Sequence, residues 1–123
     1  MNLFNELNNN SKVFDVKVES PVFKKLTSFA EKTVLQVLGC YISRKSVYGA
    51  EPVFIVKDKD SNIFFVNMPK HRIETVETII HNENMVKAIN NGECYIEVIT
   101  YFSKKYNKQC SDIQFVDKPE IIF

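Results

Sequence analysis

The residues with the most chemistry to offer stand at 101–110, Tyr-Phe-Ser-Lys-Lys-Tyr-Asn-Lys-Gln-Cys, with three lysines, three aromatic rings and no acid. Lysines neutralise phosphates, and rings offer faces on which unpaired bases stack. Tyr101, Lys104, Lys105, Tyr106 and Lys108 therefore have the composition of a surface that holds a nucleic-acid strand. A smaller cluster of the same kind stands at Tyr41, Arg44, Lys45 and Tyr48, and Lys57 follows on the next apolar run. A single basic loop is more often a solvated hairpin tip, so the weight of both clusters depends on the elements that position them.

Catalytic constellations are not legible in the chain. It has no glycine-rich phosphate cradle and no Ser/His/Asp spacing, and Cys40, Cys94 and Cys110 stand apart from one another and from His71 and His81. Without a Cys-x-x-Cys or a Cys/His cluster, neither a structural zinc nor any other cofactor is expected. Asp58-Lys-Asp60 lacks the glycine and distal glutamate of a calcium loop and reads as a turn. The expectation is a protein that is not an enzyme.

The 123 residues are 45% hydrophobic and 25% charged, the proportions of one globular domain that buries a core without staples. Sixteen basic and fifteen acidic residues leave a net charge of +1, less than a duplex binder usually carries. The charge is segregated, however. Residues 101–111 carry +3, while Glu74, Glu77, Glu83, Glu93 and Glu97 gather on or near an expected helix. Three unpaired cysteines suit a reduced compartment, and the polar, asparagine-rich start has neither the basic end nor the apolar run of a signal peptide. No apolar run is long enough to span a bilayer. A cytoplasmic location follows as the expectation, with no membrane partner.

Residues 1–12 read as a polar N-terminal arm and 13–123 as a single domain. Residues 13–18 alternate as a short strand would, and 22–30 are ambiguous between a helical turn and a loop packed on the core. A long β-branched run at 33–43 contains Gly39, which marks a bulge or bend. Residues 52–57 and 63–67 form a hairpin about the polar turn at 58–62. From Ile73 the period turns helical through Ile73, Val76, Ile79 and Ile80, loosens at 82–84, continues through Met85, Val86 and Ile89, and stops at Asn91-Gly92. Strands are expected again at 94–102 and 112–117, followed by a tail with an apolar end. Phe54, Phe64, Phe102 and Phe115 are assigned to the core. One of Phe64 and Phe65 must face outward, because neighbours on a strand point to opposite sides.

Three strands, a helix and two more strands is the order of an OB-fold, a five-stranded barrel whose long bent first strand serves both halves of the sheet. The expected class is therefore all-β with one helical segment, the alternative being an α+β sheet with a helix on one face. In such a barrel, oligonucleotides cross the face built on the second and third strands. The connections that hold the two basic-aromatic clusters flank that face.

The long first strand, the connection ending in Tyr48-Gly49-Ala50, the short hairpin, the helical stretch and the closing strands resemble the single-stranded DNA-binding proteins of small phages that replicate by protein priming. The resemblance covers residues 32–117. Glu97-Val-Ile-Thr-Tyr-Phe-Ser-Lys-Lys104 is similar to that family's strand entering a Ser/Lys-rich turn. It implies an OB-fold and non-catalytic coating of displaced single strands during replication of a phage or mobile element, with little sequence preference, in the host cytoplasm if the chain is phage-encoded. The chain departs from the family in its tyrosine- and lysine-rich last hairpin and its asparagine-rich arm. Single-stranded DNA is thus the expected partner, with RNA an alternative. Self-association through residues 1–12 or 121–123, or contact with replication proteins, is a further expectation. The remaining alternatives are an RNA-binding regulator and a small protein-interaction module, such as a phage inhibitor of a host enzyme.

Overall fold

The computed structural model describes residues 14–44 and 49–119. The arm at 1–12, Lys45, Tyr48 and the apolar end at 121–123 lie outside the described residues. The fold is mostly β: strands β1 (Phe23–Lys25), β2 (Val34–Ser43), β3 (Glu51–Lys57), β4 (Ile63–Asn67), β5 (Tyr95–Ser103) and β6 (Lys108–Val116), with helices α1 (Ile73–Ile80) and α2 (Glu83–Asn90) between β4 and β5. The six strands form one curled half-barrel sheet in the order β1-β4-β3-β2-β5-β6.

Five strands were expected, and the sixth is β1. The alternating residues 14–18 make no strand. Their pattern is obeyed by side chains alone: Phe14 is buried, and the Asp15 and Lys17 side chains are exposed. The Asp15 N–H donates to the Asn90 side chain at 2.9 Å rather than to a strand edge. The pairing instead comes from the ambiguous stretch that follows, where β1 runs parallel to β4 with Phe23 opposite Phe65, and a 3-10 turn at Leu26–Ser28 buries Leu26.

β2 is shared by both halves of the sheet. Its first residues, Val34 to Gln36, pair with β5, and Gln36 to Ser43 pair with β3. The register shifts between Val37 and Gly39, so the bulge expected at Gly39 is present and turns the sheet there. A side chain at Gly39 has little room, since a Cβ would stand 3.1 Å from the Phe14 ring. The register sorts the faces. Leu35, Val37, Phe54, Val56, Val66, Ile96, Val98 and Ile113 line the inner face and are fully buried. Val76, Ile79 and Ile89 of the two helices belong to the same core. Asn82, expected as a loosening, is the cap of α2, its side chain accepting from the Met85 N–H at 3.1 Å. α2 ends as expected at Gly92, where φ is 75° and the Gly92 and Glu93 N–H groups close on Ile89 and Ala88.

The sheet's two edge strands are β1 and β6, and the open side of the half-barrel lies between them. Arg72, in the 3-10 turn Lys70–Arg72 after β4, donates from Nε to Asp112 Oδ1 at 3.0 Å and from Nη2 to the Ile113 carbonyl at 2.6 Å. His71 Nε2 lies 2.9 Å from Asp112 Oδ2, and the Ile113 N–H also donates to Asp112. A buried carboxylate thus has every neighbour it needs, and β6 is fastened to the exit of β4 by side chains rather than by a ladder. No helix among the described residues is long and apolar enough to cross a membrane.

Candidate nucleic-acid interface

The segment at 101–110 is mostly ladder. β5 and β6 pair without interruption from Tyr95–Val116 to Ser103–Lys108, which leaves only residues 104–107 as the turn. Asn107 takes the left-handed conformation at φ 50°, which asparagine tolerates, and the Tyr106 N–H donates to Ser103 Oγ at 3.3 Å. The β2 side accompanies β5 only as far as Val98, whose N–H donates to the Thr33 carbonyl and whose carbonyl accepts from the Lys32 N–H. Beyond Val98 the two strands run on as a ribbon clear of β2.

That geometry sets the exposure of the ribbon's side chains. Tyr106 is 62% exposed, with the Lys105 and Lys108 ammonium groups 5.4 and 5.9 Å from its ring centroid. Two cations beside one open ring make a basic stacking element. Tyr101, opposite Cys110, shares a ribbon face with Ser103 and Lys108, and Lys104 is exposed in the turn. Partial desolvation, and then the neighbouring Cys110 and Asp112, push the Tyr101 hydroxyl above its ordinary range, so it stays a neutral hydrogen-bonding group. Phe102 was assigned to the core but is 57% exposed. Alternation does put it on the inner-face line of Ile96 and Val98, but the core has ended by that rung. Phe115 departs similarly at the other end of the ladder; it touches the Phe54 ring at 6.3 Å yet remains partly open.

The second group of residues sits on the outer face of the sheet. Tyr41 on β2 and Phe65 on β4 have ring centroids 6.1 Å apart, and Phe65 is 5.3 Å from Phe23 on β1. Phe65 is therefore the outward ring of its pair, while Phe64 packs against the core and, with Phe29, receives the Lys24 ammonium at 4.7 Å. Phe23 is 63% exposed. Lys25 and Lys57 stand on this outer face, and Arg44 is exposed just past the end of β2. Burial raises the Tyr41 hydroxyl pKa. The segment 14–18 lies beside these rings, with Val16 and Val18 facing Tyr41, Ile55 and Phe65 across a pocket of about 280 Å³.

Tyr41, Arg44 and Lys57 are thus brought onto or beside one sheet face, and Tyr101, Lys104, Lys105, Tyr106 and Lys108 onto one ribbon. The register sets Tyr41 and the ribbon toward opposite ends of β2. Phe23, Phe65 and Lys25 were not singled out from the sequence. Phe23 sits in a three-residue strand, too short for an alternation to show, and Phe65 could be told from Phe64 only through its register with β3.

Two of the three thiols, Cys40 and Cys94, are held in the protonated form. Burial, and then proximity to Cys94, push Cys40 up to about 12, and burial pushes Cys94 up to about 11. No family model, no curated protein and no solved structure matches this chain.

Proposed function

We propose that the protein is a non-catalytic binder of single-stranded nucleic acid, DNA in the first instance, built on an OB-fold-like barrel in which β2 to β6 are the five barrel strands and β1 is an added edge. The architecture is supported by the long bulged β2 that serves both halves of the sheet, and by the helices inserted between β4 and β5. The single observation that carries the function is Tyr106, an open ring between two lysines at the tip of a ribbon with no acid in the turn. The run Phe23–Phe65–Tyr41, exposed at Phe23 and half-buried at Phe65 and Tyr41, with Lys25 and Lys57 on the same face, offers a second stacking surface of the same chemistry. The resemblance of residues 97–104 supports a role in coating displaced strands during replication of a phage or mobile element. A near-neutral net charge suits reversible binding to a flexible single strand rather than clamping of a duplex.

The test is a fluorescence titration of the full chain with single-stranded DNA, single-stranded RNA and duplex DNA of equal length at two salt concentrations. Single strands should bind more tightly than duplex, with affinity falling as salt rises. Equal weak binding to all three, or none, overturns the reading. A strong preference for RNA would keep the mode of binding and change the partner.

A further inference from the structure

Among the described residues, the large apolar side chains left exposed fall in three places: Val22 and Phe23 at the start of β1, the ribbon, and a cleft at the other end of the β5–β6 ladder where Met85 and Phe115 open to solvent. The cleft has a volume of about 570 Å³ and lies between α1, α2 and the rung Tyr95–Val116. Its walls are apolar, with Ile79, Ala88 and Ile89 beside Met85 and Phe115. Its charged lining residues are Glu74 and Glu93, both exposed and both acidic. The cation on α2, Lys87, is turned to Glu83 at 3.8 Å. A cleft of this size and lining is of the kind that seats a ligand or an anchoring side chain, and methionine adapts to what it meets.

The ribbon tip is the complement of that cleft. It presents an open ring and three lysines, whereas the cleft presents an apolar hollow edged with carboxylates. The two stand at opposite ends of one ladder, eight residues apart along each strand, roughly 27 Å at strand rise. The tip therefore cannot fold back into its own cleft, and a knob and a hole so placed join different molecules. We propose that the ribbon tip of one copy docks in the α1–α2 cleft of a second copy, with Tyr106 seated against Met85 and Phe115 and the lysines facing Glu74 and Glu93. The contact is heterologous, so each docked copy offers a further free tip and a further free cleft, and assembly proceeds head to tail, into a ring or an open chain according to the rotation between copies. This goes beyond the single-strand reading and does not depend on it. The docked lysines are those that a strand would engage, so nucleic acid and the neighbouring cleft compete for them.

Sedimentation velocity on the full chain tests the proposal. Wild type should show weight-average sedimentation that rises with concentration and falls with added salt. Glu74→Lys with Glu93→Lys (cleft variant) should weaken self-association by at least about tenfold, as should Lys104→Glu with Lys105→Glu (ribbon variant). All four positions are exposed, and circular dichroism confirms that each variant is folded. The decisive arm is the quadruple charge swap. The cleft variant keeps a working tip and the ribbon variant a working cleft, yet each now carries two surfaces of like charge. Joined with Tyr106 intact, the quadruple charge swap should restore concentration-dependent assembly. A wild type that stays monomeric throughout overturns the proposal, as does self-association that survives in both double variants or is not restored by the quadruple swap.

Discussion

Arg72, in the turn that follows β4, and Asp112, on β6, meet at 3.0 Å across the open side of the half-barrel. The pair is partly buried, and the same guanidinium reaches the Ile113 carbonyl. The sheet order leaves β6 without a second partner strand, so this contact takes the place of a closing ladder. Replacing Arg72 by methionine keeps most of the side chain's packing but leaves the carboxylate with only His71 and the Ile113 N–H as partners. Hydrogen bonds to a charged group contribute roughly 1.5–3 kcal/mol, so Arg72→Met should lower the unfolding free energy by about 2 kcal/mol in urea melts. Hydrogen exchange should quicken in β6 before it does in β3.

The same carboxylate gives stability a pH dependence of known sign. Burial by itself would raise the Asp112 pKa, but bonds from Arg72, the Ile113 N–H and His71 outweigh it and hold the group below its ordinary value. A group depressed in the folded state contributes stability that is fully present above its unfolded value of about 3.9 and is lost as pH falls through the folded value. Urea midpoints of wild type and Asp112→Asn should therefore differ most near neutrality and converge on acidification below about pH 4. A gap that stays constant with pH would show that the carboxylate's charge is not what fastens β6.

Gly39 offers a test of how the irregular N-terminal segment is held. A Cβ there would stand 3.1 to 3.2 Å from three atoms of Phe14, closer than such contacts settle. Phe14 is buried but lies on a segment without strand pairing, so it can yield in part. Gly39→Ala should cost about 1–2 kcal/mol, the lower part of the range for overpacking a core site. Combined with Phe14→Ala, the two changes should be less destabilising than their sum, because alanine removes two of the three close atoms, Cγ and Cδ2. Additive losses in chemical denaturation would mean that the ring does not fill the space above Gly39.

The strands that alternate or run apolar for five residues or more were legible in the sequence, as were the helix at Ile73, the turn at Asp58 and the bulge at Gly39. What was not legible depended on partners far along the chain. Residues 14–18 carry a strand's alternation yet spend it on packing, while Phe23–Lys25 has no pattern of its own and becomes a strand because β4 has a free edge beside it. Phe102 and Phe115 were assigned inward on residue type, and their exposure follows from where the ladder outruns the core. Of the candidate site, the ribbon's composition was legible and its length was not: pairing runs inward as far as Ser103 and Lys108, so most of the apparent loop is strand. The ring run Phe23–Phe65–Tyr41 is assembled from three strands, and no local signal announces it.

The ribbon and the outer face can be separated by the kind of loss each variant produces. Lysines act through counterion release, with a slope contribution of about 0.7 per phosphate on a single strand. Lys104→Ala with Lys105→Ala should therefore flatten the dependence of log affinity on log salt by roughly 1.4. A stacking ring contributes about 1–3 kcal/mol per base with little electrostatic component, so Tyr106→Ala should weaken binding while leaving that slope almost unchanged. Phe65→Ala should do the same from the outer face, whereas Phe64→Ala, which opens the core side, should register in the unfolding free energy instead. Because the ribbon and Tyr41 lie toward opposite ends of β2, a strand of about 4 nucleotides can engage one surface only, and one of about 16 can engage both. The combined Phe65→Ala and Tyr106→Ala variant should thus show additive losses on the long strand in anisotropy titrations. On the short strand, the single change at the preferred surface should account for nearly the whole loss. Equal and additive losses on both lengths would mean that the two surfaces form one continuous site.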